Sequence, residues 1–277
     1  MSSVTRRVAV VGFSGGVSSA WCAGWALRTY PKDEVVFLFH DTKEEDPDTY
    51  RFIREMAAAL GHPVTERSDG RSVTQVFEDE GAIANNRMAF CSRILKAEQR
   101  DRYFSEISDV GSCPTCDGLG TIGDEGEGCE ACGGEGERNL VEIVNILGFS
   151  AIETQRVQRA AGRAMAAGYA CRFPMIEDKI SKQAAADWCI ALGVRPPEMY
   201  RWSEHANCVG CVRGGKAYWL AVAKNAPEAF EQRAKLEEEY GHTVLKDTTL
   251  RQLVQIGLKR PVKPRESIDI GPCECGD

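Results

Sequence analysis

The stretch VAVVGFSGGVSSAWCAGWAL, residues 8–27, constrains the fold more than any other part of the chain. It starts as a β-branched apolar run, breaks at Ser14-Gly15-Gly16 and becomes helix-compatible within a few residues. A strand, a glycine turn and a helix start in that order place free backbone N–H groups at a sheet's C-terminal edge. Glycine lets the main chain approach a phosphate closely, and the orphan amides then donate to it, so the turn predicts an anion site. The hydroxyls of Ser14, Ser18 and Ser19 add donors. The turn carries neither the Walker Gly-Lys-Ser/Thr nor the dinucleotide Gly-x-Gly-x-x-Gly pattern.

The rest of the core follows the same alternation. Residues 7–13 and 34–40 (EVVFLFH) read as buried strands, with a helical spacing of apolar residues between them. Pro47 opens a helix that Gly61 closes. A third strand is expected at 140–147 and a helix from Glu153 to Ala167, with further helices at 181–192 and 215–240. Strand-helix alternation predicts an α/β protein with an open, mostly parallel, Rossmann-like sheet flanked by helices. One segment breaks the pattern. Residues 111–138 are rich in glycine and acid, nearly free of apolar residues, and contain two Cys-x-x-Cys pairs.

The expected organisation is a nucleotide-binding core at 1–110 and 139–205, a metal-binding insertion at 111–138 and a helical C-terminal part at 206–277. The chain has 41 acids and 34 bases; seven acids and one base fall in the insertion, leaving 34 against 33 elsewhere. The global acidity therefore neither favours nor excludes a nucleic-acid partner. The cluster Lys259, Arg260, Lys263 and Arg265 reads as a solvated tail. No apolar run approaches a membrane span and no leader is visible, so a soluble, cytoplasmic protein is expected. Twelve cysteines in such a chain point to metal or sulfur chemistry before disulfides. A dimer is a plausible assembly on which the sequence gives no direct reading.

SGGVSSA at 14–20 resembles the pyrophosphate loop of the PP-loop, or adenine nucleotide alpha-hydrolase, superfamily, although Ser18 stands where many members carry aspartate. FLFHDTKEEDPDTYRFI, CSRILKAEQ, GFSAIETQR and the stretch from FPMIEDK to NCVGC resemble, in order, blocks of the phosphoadenylyl-sulfate (PAPS) reductase-like branch. The resemblance implies an adenine nucleotide at the sheet's C-terminal edge, with its phosphates on Ser14, Gly15, Gly16, Val17, Ser18 and Ser19. Asp41 at the end of the second strand is expected to meet the ribose or adenine, to help hold Mg²⁺, or to cap a turn. Arg213, Gly214 and Lys216 form a second anion-friendly turn. Glu44, Glu45 and Asp46 read as a solvated run adjoining this edge, and Trp21, Trp25, Trp188 and Trp219 as core.

The cysteines divide into two sets. Cys113, Cys116, Cys129 and Cys132 form Cys-x2-Cys-x12-Cys-x2-Cys, four thiolates suited to a closed tetrahedral Zn²⁺. Each pair continues as Cys-x-x-Cys-x-Gly-x-Gly and resembles the zinc repeat of the J-domain co-chaperones. The second set is Cys91, Cys208 and Cys211. In iron–sulfur members of the reductase branch a double cysteine and a later Cys-x-x-Cys hold a 4Fe–4S cluster. Here Phe90-Cys91 replaces the double cysteine, leaving three ligands, an arrangement that tRNA-thiolating PP-loop enzymes use. The alternatives are a second zinc site completed by His205 or Cys171, and plain buried thiols.

Two departures bear on the reaction. Ser150 and Ala151 replace the paired arginines that the branch uses for a sulfate, with Glu153 and Arg156 kept and Arg93 and Lys96 nearby to compensate. The chain ends PCECGD, so Glu274-Cys275-Gly276 matches the reductases' mobile tail but no histidine follows. The expected catalytic residues are thus Cys275, Arg156, Arg93 and Lys96. Three functions stay open. The first is ATP- and Mg²⁺-dependent adenylation followed by sulfur transfer to a nucleobase or another nucleic-acid component, with a separate sulfur donor. The second is reduction of a sulfonucleotide to sulfite with a thioredoxin-like partner. The third is a non-catalytic nucleotide-binding module that works through its zinc knob.

Overall fold

A computed structural model describes residues 6–113, 115–122, 126–130, 132–258 and 267–270. The expected basic cluster at 259–265 and the tail cysteines Cys273 and Cys275 lie outside the described residues.

Strand β1 (Arg6–Gly12) is the centre of the fold. Val8 and Val10 face one apolar cluster, and Ala9 and Val11 face another. A strand buried on both faces needs the near-continuous apolar run that the sequence supplies. After the glycine turn, α1 (Val17–Thr29) returns the chain to β2 (Glu34–His40), which pairs parallel to β1 with Val8 opposite Glu34. In α2 (Pro47–Leu60) the Asp46 side chain accepts from Asp48 N at 2.9 Å, Pro47 fills the first position, and Gly61 closes the end at φ +62°. These are the start and stop signals expected of a well-bounded helix.

Strand β3 (Val64–Arg67) adds beside β2, and α3 (Val73–Glu80) follows with a Ser72/Gln75 capping box. The next segment runs as α4 (Phe90–Ser92), a π-helical turn (Arg93–Ala97) and α5 (Glu98–Ile107). Strands β4 (Val110–Ser112) and β7 (Glu137–Asn139) then pair antiparallel at the base of the insertion, which encloses β5 (Thr121–Ile122) and β6 (Glu127–Gly128). Strand β8 (Val141–Ile146) rejoins the main sheet on the other side of β1. Helix α6 (Thr154–Ala166) leads to edge strand β9 (Ala170–Arg172), and α7 (Pro174–Glu177) and α8 (Lys182–Ala191) follow.

The main sheet has the order β3-β2-β1-β8-β9, and every pairing in it is parallel. This is the expected open parallel sheet with helices on its faces. Its winding reverses between β1 and β8, and in such sheets that reversal opens a crevice at the strands' carboxyl ends.

The C-terminal part is α9 (Lys216–Asn225), α10 (Pro227–Tyr240) and α11 (Leu250–Ile256). The single helix expected over 215–240 is two. Pro227 has no N–H to continue the ladder, so it starts a new helix at its first turn. These helices close on α3 and α4 around Trp219, Phe77 and Phe230, a second core separate from that of the sheet. No helix among the described residues is long and apolar enough to cross a membrane.

Phe37 is fully buried in β2, with ring centroids 5.3 Å from Phe13 and 4.3 Å from His62. Phe37→Ala should cost about 3–5 kcal/mol of unfolding free energy by urea denaturation. A loss below about 1 kcal/mol would mean the site collapses freely and the sheet core is not close-packed there.

Candidate functional site

The glycine turn is shaped by what lies behind it. Gly15 has φ +77°, and a Cβ there would fall 2.4 Å from Thr49 Cγ2 on α2. A Cβ on Gly16 would meet the Tyr200 hydroxyl at 2.9 Å. That hydroxyl accepts from Val17 N at 3.2 Å. Ser19 Oγ closes the turn by donating to Gly16 O at 2.8 Å and accepting from Ser14 N at 3.1 Å. No side chain of the first turn caps α1 and no acid lies in it, whereas α2, α3, α8 and α11 are each capped by their own side chain. Gly148, just past β8, lies against the same turn, where a Cβ would come within 2.8 Å of the Ser18 carbonyl carbon.

A cavity of about 310 Å³ opens here, at the switch point between β1 and β8. Ser14, Gly16, Ser18 and Ser19 line one side, and Asn145, Gly148 and Phe149 the other. The cations on its wall are Lys96, Arg100, Arg156, Arg163 and Lys182, against the single carboxylate of Glu153. Such a wall attracts a polyanion. The block 148–156 folds as one unit: Glu153 accepts from Ser150 N at 3.0 Å and pairs with Arg156, whose guanidinium lies 4.4 Å from the Phe149 ring centroid. Lys182 donates to Glu204 O and stands 5.3 Å from the Tyr200 ring centroid.

Two histidines line the same cavity. Burial, then the charges of Lys96 and Arg100, push His40 down to about 4; burial and Lys182 do the same to His205. Both are therefore neutral at neutral pH.

The structure brings Ser14, Gly16, Ser18, Ser19, Arg156 and Lys96 together on this cavity. It places other expected residues elsewhere. Asp41 accepts from the Tyr50 hydroxyl at 2.6 Å and from Lys43 N at 2.8 Å, which is the turn-capping geometry. Arg93 pairs with Glu98 at the surface. Arg213 and Lys216 are exposed, and Gly214 lies against the Tyr218 ring. Arg100, Arg163, Lys182 and Tyr200 went unread in the sequence. They come from four different elements and share no local pattern.

The second thiol set adjoins the cavity. Ser92 and Asn207, next to Cys91 and Cys208, line it. Thr42 Oγ1 is 3.3 Å from Cys208 Sγ, which lies 3.7 Å from Glu45 Oε1. Lys96 Nζ donates to that same oxygen at 3.2 Å. Burial pushes Cys91 up to about 11, helped by the charge of Cys211. Burial and Glu45 raise Cys208, while Lys96 opposes them. Burial alone would lower Lys96, but Cys208, Glu45 and Cys211 overcome it and hold the ammonium charged. The acid run expected to be solvated is therefore structural: Glu45 is buried, Glu44 pairs with the buried Arg233, and Asp46 caps α2.

The insertion gathers Cys113, Cys116, Cys129 and Cys132 with all four sulfurs within 4.8 Å of one another. Cys113 and Cys129 stand 3.9 Å apart, Cys116 and Cys132 3.7 Å. A tetrahedral ion with metal–sulfur bonds of about 2.3 Å needs an edge of about 3.8 Å, so the set fits one such ion. Gly120 N donates to Cys116 Sγ and Gly136 N to Cys132 Sγ, each at 3.3 Å, so the two knuckles repeat one geometry. A Cβ on Gly120 would strike Gly134 O at 2.3 Å, and one on Gly136 would strike Gly118 O at 2.3 Å, which is why the glycines recur. Among the described residues this is the one group of three or more ligand atoms drawn so close; Cys91, Cys208 and Cys211 are not. Replacing Cys113 and Cys129 by serine should release about one metal ion per chain while the sheet's unfolding transition stays in place. Metal analysis with thermal unfolding checks this, and an unchanged metal content would contradict it.

Residues 8–112 match the family model of the phosphoadenosine phosphosulfate reductase domain. An NH3-dependent NAD+ synthetase of Mesorhizobium japonicum is 38% identical over 61 residues, which are 22% of this chain and 19% of that protein. The chain thus covers about a fifth of the length of that curated relative. A parallel sheet with a glycine turn at its switch point agrees with this match: residues 8–112 are similar to the phosphoadenosine phosphosulfate reductase domain.

Proposed function

We propose that this adenine-nucleotide-binding enzyme uses ATP and Mg²⁺ to adenylate an oxo group on a nucleobase or another nucleic-acid component, and then replaces that oxygen with sulfur. The oxo oxygen attacks the α-phosphorus, the bond to the β-phosphate breaks, and pyrophosphate leaves. Hydrosulfide from a sulfur donor then attacks the activated carbon, the carbon–oxygen bond breaks, and AMP departs. The amides and hydroxyls of residues 14–19 hold the phosphates, and Arg156 and Lys182 offset the charge that develops on them. The likeness to an NAD+ synthetase supports nucleotide handling by the chain.

One observation carries the sulfur step. Lys96 lines the nucleotide cavity and is bonded at 3.2 Å to Glu45, which lies against Cys208. A thiol joined through one buried carboxylate and one charged side chain to the proposed phosphate cavity supports group transfer between them. An iron–sulfur cluster on Cys91, Cys208 and Cys211 would supply an iron able to bind sulfide. The four insertion thiols would take Zn²⁺ and order the insertion.

The five cavity cations also support the second reading, reduction of a sulfonucleotide, because they supply charge that Ser150 and Ala151 do not. The Cys275 thiol expected to attack in that reading lies outside the described residues.

The readings separate by product. Anaerobic protein given ATP, Mg²⁺, sulfide and RNA or free nucleobases should release pyrophosphate and AMP, and Arg156→Ala should slow this by roughly 10²-fold. Sulfite from phosphoadenylyl or adenylyl sulfate with dithiol, and no pyrophosphate, would establish the reductase instead. Nucleotide binding without either product would make the protein an interaction module. Gly148→Ala, which forces the Ser18 backbone away, should weaken ATP binding by calorimetry on the order of tenfold, about 1.4 kcal/mol. Unchanged affinity would remove the turn from the phosphate site.

A further inference from the structure

Lys182 and His205 stand together on the wall of the cavity, and their contact fixes what His205 can offer a ligand. Lys182 is 6% exposed and opens α8. Its Nζ donates to Glu204 O, stands 5.3 Å from the Tyr200 ring centroid and meets His205 Nδ1 at 3.4 Å. An ammonium has three N–H groups and no lone pair, so the imidazole nitrogen that faces it is the accepting one. A neutral imidazole has one nitrogen of each kind. With the lone pair on Nδ1, the proton belongs to Nε2, and His205 presents an N–H from its other nitrogen. No group among the described residues takes that N–H.

The loop that carries this donor lies over the glycine turn. A Cβ on Gly16 would fall 2.9 Å from the Tyr200 hydroxyl and 3.9 Å from Ala206 Cβ, so residues 200 and 206 both pack on the turn, with His205 beside the second. Ser203 Oγ accepts from His205 N at 3.2 Å and donates to His205 O at 2.8 Å, which fixes the backbone. The Tyr200 hydroxyl on Val17 N and Lys182 on the imidazole therefore hold the ring in register with the turn. A charged imidazole here would face Lys182 as a like charge, whereas a neutral one adds a donor without that repulsion.

We infer that His205 is a further phosphate-contacting residue of this site: its Nε2–H donates to a phosphate oxygen of the nucleotide, and Lys182 is the positioning residue that fixes the tautomer. This rests on the reading that residues 14–19 hold those phosphates. Lys182 supplies charge and His205 supplies direction. As pyrophosphate leaves in the proposed reaction, negative charge gathers on the departing oxygens. A donor held in place beforehand needs no reorganisation at that moment.

The test is ¹⁵N–¹H correlation spectroscopy on histidine-labelled protein, with and without a non-hydrolysable ATP analogue and Mg²⁺, beside calorimetric affinity for the same analogue. The chain has four histidines, and the signals lost in His205→Gln identify the ring. In wild type its Nδ1 should be unprotonated and its Nε2 protonated, and the analogue should move the Nε2–H signal downfield. Lys182→Met should leave the ring in a mixture of both tautomers. His205→Ala should weaken affinity about 10–100-fold, and His205→Gln, which keeps an N–H in reach, should recover most of it, with the thermal unfolding transition unchanged in each variant. A proton on Nδ1 in wild type, an Nε2–H signal unmoved by bound analogue, or equal affinity in His205→Ala would overturn the assignment and leave the phosphate turn standing. A single unchanged tautomer in Lys182→Met would overturn the role of Lys182. Wild type that binds no analogue would overturn the reading of the turn, and this assignment with it.

Discussion

The molecule depends on a run of backbone amides left uncapped at the point where a parallel sheet reverses its winding. Four helix starts are capped from within, by Asp46, Ser72, Ser181 and Thr249. At α1 the Ser19 hydroxyl is spent on closing the turn and Val17 N on the Tyr200 hydroxyl, while Ser18 and Ser19 line the cavity with no side chain capping the helix. The turn can adopt this shape only because Gly15, Gly16 and Gly148 leave room for Thr49, Tyr200 and the Ser18 backbone. Cations from α5, α6 and α8 then surround the opening. The proposed anion capture thus rests on topology first and charge second.

The C-terminal part brings Cys208 beside that edge. Its core around Trp219 is separate from the sheet's, and the loop before α9 carries Cys208 and Cys211. Buried polar contacts fasten the two parts together. Arg233 on α10 pairs with Glu44 and donates to Thr74 Oγ1 at 2.7 Å, and Val209 N donates to Glu44 O at 2.8 Å. The next residue, Glu45, reaches the thiol and the lysine. The loop after β2 is therefore the joint between nucleotide edge and thiol set. A buried charge pair such as Arg233–Glu44 adds little net stability over apolar packing, but breaking one side leaves an uncompensated charge. Its value here is registry of the joint.

How much of this was legible in the sequence depended on the range of the interactions. Strands β1 and β2 and helices α1 and α2 follow from apolar periodicity, Pro47 and Gly61, all local signals. The four insertion thiols and their glycines were equally legible, since spacing alone fixes a two-knuckle site. Strand β3 is four residues with two charges, too short and polar for periodicity to show. The break at Pro227 was visible in principle but masked by continuous helix formers on both sides. Glu44 and Glu45 read as solvated because their partners, Arg233 and Lys96, are far away in sequence. Asp41 and Tyr50 show the same limit in reverse: an acid at a strand end invites a ligand role until its local partners are seen.

The central claim is that the turn at 14–19 holds a nucleotide's phosphates. Crystals grown with a non-hydrolysable ATP analogue and Mg²⁺ test it most directly. Phosphate density within hydrogen-bond reach of the Ser18 and Ser19 amides, with Arg156 or Lys182 beside it, is the predicted result. Nucleotide bound at another edge of the sheet, with this turn still closed by Ser19 and Tyr200 alone, would contradict the account.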